Sequence, residues 1–251
     1  MNKLLFFGLT TSVILIGIFT IVNPSFSQDS TIQNLAKSIF DDKQFTVPSN
    51  VKNFVILIPN EAHESPELPK EQRLINQPYV PQKLQIDSDT NILWFSGDVG
   101  HTRQITIMDS TSAEVFNSKI KFNSATQPLV LPSTGKFNYF EKNANSDDPN
   151  FVMEGSITVV NSNNQTNTNE NNSRMAFDTI SVIMIPAIDL NKNIITLKDN
   201  KINIIDQYFF KDLRETGGGG ANQTLLILGS NIPLEQTISA LSKITDTLPY
   251  S

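Results

Sequence analysis

The sequence predicts a mainly β protein, a β-sandwich over residues 51–160 followed by a small α+β unit over residues 175–251. Three observations carry this. First, short apolar or alternating runs recur between residues 51 and 160, and Ser-Asp-Thr-Asn and Pro-Ser-Thr-Gly turn signals separate some of them. Runs of that length and spacing are the mark of antiparallel strands packed in two layers. Second, residues 161–174 are rich in Asn, Ser and Thr and hold no large apolar side chain before Met175 that could pack, so they read as a linker. Third, the segment beyond it mixes strand-like runs with one strongly amphipathic helix.

Taken in order, Lys3 precedes an apolar run over residues 4–22, and small residues precede a cleavage point after Ser27, so residues 1–27 read as a signal peptide. If retained, residues 4–22 would be a marginal membrane anchor, interrupted by Thr10, Thr11, Ser12 and Thr20. Residues 28–50 form a helical leader in which Ile32, Leu35, Ala36, Ile39 and Phe40 share a face and Asp29 or Ser30 supplies the cap. The period then changes. Residues 54–58 are a buried strand stopped by Pro59, and a proline-rich polar stretch follows to Pro81. Further strands are expected at 83–87, 92–95, 104–108, 119–122, 128–131, 136–140 and 155–160, and, past the linker, at 180–185, 194–197, 201–210 and 224–228. Pro233 opens a helix with Leu234, Ile238, Leu241, Ile244 and Leu248 on one face. The tetraglycine 217–220 precedes a strand instead of opening a helix, so it reads as a hairpin connection and not a phosphate loop. Val182-Ile183-Met184-Ile185-Pro186 echoes Val55-Ile56-Leu57-Ile58-Pro59, a likeness that buried strands acquire without descent from a repeat.

Composition removes several functions. The net charge of −6 becomes −7 once Lys3 is cleaved away, and no Lys/Arg cluster exists to contact a phosphate backbone, so nucleic acid is discounted as a partner. The chain has no cysteine, so an exported form relies on packing or bound ions instead of disulfides. With two histidines and no Gly-x-Ser-x-Gly elbow, nucleophilic hydrolysis has no foundation, and the chain is expected to bind and not to catalyse.

The residues that carry most information are Trp94-Phe95-Ser96-Gly97-Asp98-Val99-Gly100-His101, Gly135-Lys136-Phe137-Asn138-Tyr139-Phe140-Glu141 and Met153-Glu154-Gly155. With Tyr79-Val80-Pro81, Leu84, Ile86 and the strand at 92–95, they make residues 51–160 resemble the cupredoxin family of plastocyanin-like domains. The closer likeness is to exported cupredoxin-like proteins of ammonia-oxidising archaea. The resemblance implies a cupredoxin-like Greek-key sandwich and a copper site whose first ligand falls at His101. It also implies a cysteine where Glu141 stands, a second histidine that is absent, and a methionine at Met153. A blue-copper centre depends on its Cu–thiolate bond, so the family's redox role is not expected here.

A rebuilt site is the remaining metal reading. His63 and His101 lie in loops expected at one end of the sandwich, where Glu61, Glu64, Asp98, Glu141, Asp147 and Asp148 add carboxylates. Imidazole and carboxylate suit Zn²⁺ or Cu(II), giving a candidate metal set of His101, His63, Glu141, Asp147, Asp148 and Met153. The competing reading gives the histidines structural work and makes the protein a metal-free interaction module of the cell envelope. An electron carrier whose missing ligand comes from a partner ranks last.

Overall fold

The computed structural model describes residues 35–40, 44–60, 77–141, 153–161, 176–210 and 222–245. In chain order these form α1 (Leu35–Phe40), β1 (Phe45–Thr46), β2 (Asn53–Ile58), β3 (Lys83–Asp87), β4 (Asn91–Ser96), β5 (Arg103–Met108), β6 (Glu114–Ile120), β7 (Gly135–Glu141) and β8 (Glu154–Val160). Then come β9 (Thr179–Pro186), a 3-10 turn (Ala187–Asp189), α2 (Leu190–Asp199), β10 (Ile202–Phe210), β11 (Gln223–Ser230) and α3 (Leu234–Thr245).

The strands make two mixed sheets, so the mainly β fold class is what the structure has. One sheet runs β1-β3-β8-β7-β5-β6, the other β10-β11-β9-β2-β4. Ring contacts stitch the layers together. Trp94 of β4 meets Tyr139 of β7 edge-on at 5.2 Å and stacks over Phe116 of β6 at 6.2 Å, while Phe45 of β1 lies 5.3 Å from Phe54 of β2. Aromatic pairs at these separations add about 0.5–1.5 kcal/mol each beyond the area they bury, which favours one cross-sheet register.

The segment expected as a separate α+β unit supplies strands to the second sheet. β9 pairs in parallel with β2, with Asn53, Phe54 and Val55 opposite Thr179, Ile180 and Ser181. Every residue of β9 is buried, so its likeness to β2 reflects a shared environment as adjacent inner strands. Burying each of Ile180, Val182, Ile183 and Ile185 contributes about 1.5–3 kcal/mol toward packing this segment on the sandwich. Asn161 follows β8; the rest of the expected linker, the tetraglycine and the N-terminal residues 1–34 lie outside the described residues. Among the described residues, no helix is long and apolar enough to cross a membrane.

Three local expectations change. Residues 194–197 are helical, inside α2, because Asn193 and Leu197 bury one face at helical spacing while Ile195 points to solvent. Residues 128–131 make only a bridge, Leu129 exchanging hydrogen bonds with Ile92, and the strand expected at 119–122 ends at Ile120, having begun at Glu114. Ala36 N–H of the leader helix donates to the Asp206 carboxylate at 2.8 Å, and the cap residues expected for it, Asp29 or Ser30, lie outside the described residues.

Candidate functional site

Two chain segments converge at one end of the sandwich. The first is the loop between β4 and β5. Gly97 N–H donates to Ile58 O at 2.9 Å and Val99 N–H to the Asn60 side chain at 3.0 Å, which ties this loop to the end of β2. Gly100 turns the chain at φ +82°, a left-handed conformation that favours glycine. The second segment is the β7–β8 junction, where Glu141 N–H donates to Met153 O at 3.0 Å. The two halves of the Gly-x-x-x-Tyr-x-Glu and Met-x-Gly pattern thus meet.

What joins the two segments is Arg103, the first residue of β5. Its Nε donates to Asp98 Oδ2 at 2.5 Å, and its Nη2 reaches the same oxygen. Its Nη1 donates to Glu141 Oε2 at 3.0 Å. The second Glu141 oxygen accepts from Gln104 N–H at 3.2 Å, and the second Asp98 oxygen lies 3.4 Å from His101 Nδ1. All three ion-pair members are buried, Asp98 at 0%, Arg103 at 2% and Glu141 at 4% exposure. Burial pushes the Glu141 carboxyl above its ordinary value, and the Arg103 charge opposes that shift without cancelling it. Charges this deep are tolerated when they are paired and hydrogen-bonded, as these are.

An aromatic wall backs the ion pairs. Tyr79 and Tyr139 meet edge-on at 4.8 Å, and Tyr139 donates its hydroxyl to Gln82 O at 3.1 Å. Burial raises both tyrosines well above their ordinary range, and for Tyr79 the Glu141 charge adds to the effect. Both remain neutral phenols. Gly155 lies under the Tyr139 ring so closely that a Cβ would fall 2.2 Å from Cζ. The glycine of Met-x-Gly is therefore needed for packing.

The structure brings Glu141 and Met153 together and sets His101 on the same loop as Asp98. Met153 is wholly buried, and His101 keeps 38% of its side chain exposed. His63, Asp147 and Asp148, with Glu61 and Glu64, lie outside the described residues. Among the described residues, no group of three or more His, Asp or Glu side chains is arranged to hold a metal ion. Arg103 did not figure among the sequence candidates. Its signal was its place two and four residues before Ile105 and Ile107, on the strand face that β5 buries.

The type 1 copper centre implied by the cupredoxin resemblance does not fit these residues. The position of its thiolate is a carboxylate, a harder donor, and that carboxylate is held by a guanidinium. No family model matches the chain, and no curated protein matches it. Among solved structures, reduced rusticyanin aligns at 14% identity with a TM-score of 0.31, covering 52% of this chain and 95% of that one. A rusticyanin from Thiobacillus ferrooxidans aligns at 14% identity and TM-score 0.31, covering 52% and 93%. The chemistry of the site is accordingly read from its own side chains.

Proposed function

We propose that the protein is an exported, cupredoxin-like module of the cell surface that acts by binding a partner and neither carries electrons nor catalyses a reaction. The observation that carries this is the Arg103–Glu141 ion pair at the position where the resemblance implies a copper thiolate. A fixed cation pairs with both buried carboxylates there, so the fold at that end holds its shape without a cofactor. Export rests on the signal-like residues 1–27. The partner expected is an envelope protein. Cu(II) added to the purified protein is expected to give only weak absorption and no reversible one-electron couple, because no thiolate exists to donate into the metal. An intense visible charge-transfer band or a reversible couple would contradict the proposal.

A second reading keeps a divalent-metal role for the histidines. It is favoured by the Val99–Asn60 hydrogen bond, which sets Asn60, three residues before His63 in the sequence, beside the loop carrying His101. On this reading Cu(II) or Zn²⁺ raises the melting temperature of the wild type, since binding to the native state alone stabilises by about 2.7 kcal/mol at a hundredfold excess over Kd. His101→Ala would abolish the rise. An unchanged melting temperature removes this reading.

A further inference from the structure

We propose that Asn222 is an acceptor for an N-linked glycan, added to the chain before β11 enters its sheet. The proposal rests on the export reading, since the enzymes that transfer such glycans act on exported chains. Asn222-Gln223-Thr224 fits the Asn-x-Ser/Thr acceptor pattern. Asn222 is exposed and stands immediately before β11, and the fold uses its carbonyl, which accepts the Ala187 N–H at 2.7 Å. Thr224 lies differently. It sits within the sheet, opposite Ile185 of β9 and Phe209 of β10, and is 1% exposed. Its Oγ1 has no hydrogen-bond partner among the described residues. A buried hydroxyl left unpaired destabilises a fold, and valine would fill the same space without that cost. The folded state thus gives no reason for a threonine here, and the acceptor pattern does.

Burial of Thr224 also sets the order of events. Its hydroxyl is within an enzyme's reach only before β11 pairs with β9 and β10, so transfer comes first and folding second. The co-reactant is a lipid-phosphate-linked oligosaccharide. Asn222 Nδ2 forms a bond to the anomeric carbon of the first sugar, and the bond from that carbon to the phosphate oxygen breaks. The lipid phosphate leaves with the electron pair, and the amide gives up one proton. In the folded chain the glycan stands beside two exposed apolar side chains. Ile188, 89% exposed, follows the residue whose N–H reaches Asn222, and Phe209, 57% exposed, is the register partner of Thr224. Exposed apolar groups gathered at one sheet end favour association, and a bulky hydrophilic glycan shields them.

The experiment secretes the full chain from a eukaryotic host whose transferase reads Asn-x-Ser/Thr, as wild type, Asn222→Gln and Thr224→Val. Glycans are located by peptide mass spectrometry after an enzymatic release that converts each modified Asn to Asp. Asn164 and Asn171 fit the same pattern, so the peptides keep the three sites apart. Asn222 is expected to be modified in the wild type and bare in Thr224→Val. Thr224→Val is also expected to melt no lower than Asn222→Gln, which equally lacks this glycan, because the valine loses only an unpaired hydroxyl. A secreted wild type bare at Asn222 would overturn the proposal and leave export standing. So would a Thr224→Val protein that melts below Asn222→Gln or fails to fold, since the hydroxyl would then have a structural task. A chain that never enters the secretory path overturns the export reading, and this proposal with it.

Discussion

Arg103→Met is expected to destabilise the protein by about 3–5 kcal/mol at neutral pH, the cost typical of removing one member of a buried ion pair. Methionine retains most of the volume and removes the charge, so the loss reports on Asp98 and Glu141, which stay buried at 0% and 4% exposure without their counter-ion. The deficit should depend on pH in a definite sense. Burial already raises the Glu141 carboxyl from its ordinary 4.5, and Arg103 is the main opposing influence. Without Arg103 the shift grows. A carboxyl raised in the folded state contributes stability that is fully present below its unfolded value and is lost as pH rises through its folded value. The variant should therefore recover relative to wild type as pH falls toward 4.5 and lose ground above it. Urea unfolding of both proteins across that range checks this; a deficit that stayed constant, or grew on acidification, would mean that the carboxylates are not what the substitution exposes.

Gly155→Ala is expected to cost about 1–3 kcal/mol, the usual range for overpacking a filled core, and to fall at its upper end. The reason is geometric. A Cβ at this position would lie 2.2 Å from Tyr139 Cζ, 2.4 Å from its hydroxyl oxygen and 2.7 Å from the carbonyl oxygen of Gln82. Tyr139 cannot swing aside, because it packs on Tyr79 at 4.8 Å and on Trp94 at 5.2 Å and its hydroxyl is hydrogen-bonded to Gln82 O. Tyr139→Phe in the same background removes the oxygen but not Cζ, so it should relieve only part of the loss. Thermal melts of the single and double variants test this, and a Gly155→Ala protein as stable as wild type would show that the ring has room to move.

Much of the fold was legible because strand periodicity survives in the sequence. β5 buries Arg103, Ile105 and Ile107 at every second position and leaves Gln104 and Met108 partly exposed, Thr106 alone breaking the alternation, and β7 buries Phe137, Tyr139 and Glu141 at the same spacing. That alternation also held the clue to the site. Arg103 and Glu141 stand on the core faces of two neighbouring strands, where an unpaired charge would be costly, so each implies the other. A lone Arg at a strand start reads as a solvated charge unless the facing strand is considered with it. The joining of β9 to β2 was hidden for a different reason. An Asn-rich stretch marks a break in local packing but carries no information about which strand edge receives the chain beyond it. The two-residue β1, which pairs in parallel with β3 at Leu84 and Gln85, is too short to show any period. In α2 the run Ile194-Ile195-Thr196-Leu197 looked like a strand because the helix's buried face, Asn193 and Leu197, includes a polar residue.

The claim that Arg103 and Glu141 act as one buried unit is tested most directly by a double-mutant cycle of Arg103→Met and Glu141→Gln, measured by denaturant unfolding in chelator at neutral pH. The double variant is expected to be less destabilised than the two single losses combined, with a coupling of about 1–3 kcal/mol. Additivity within about 0.5 kcal/mol would contradict it.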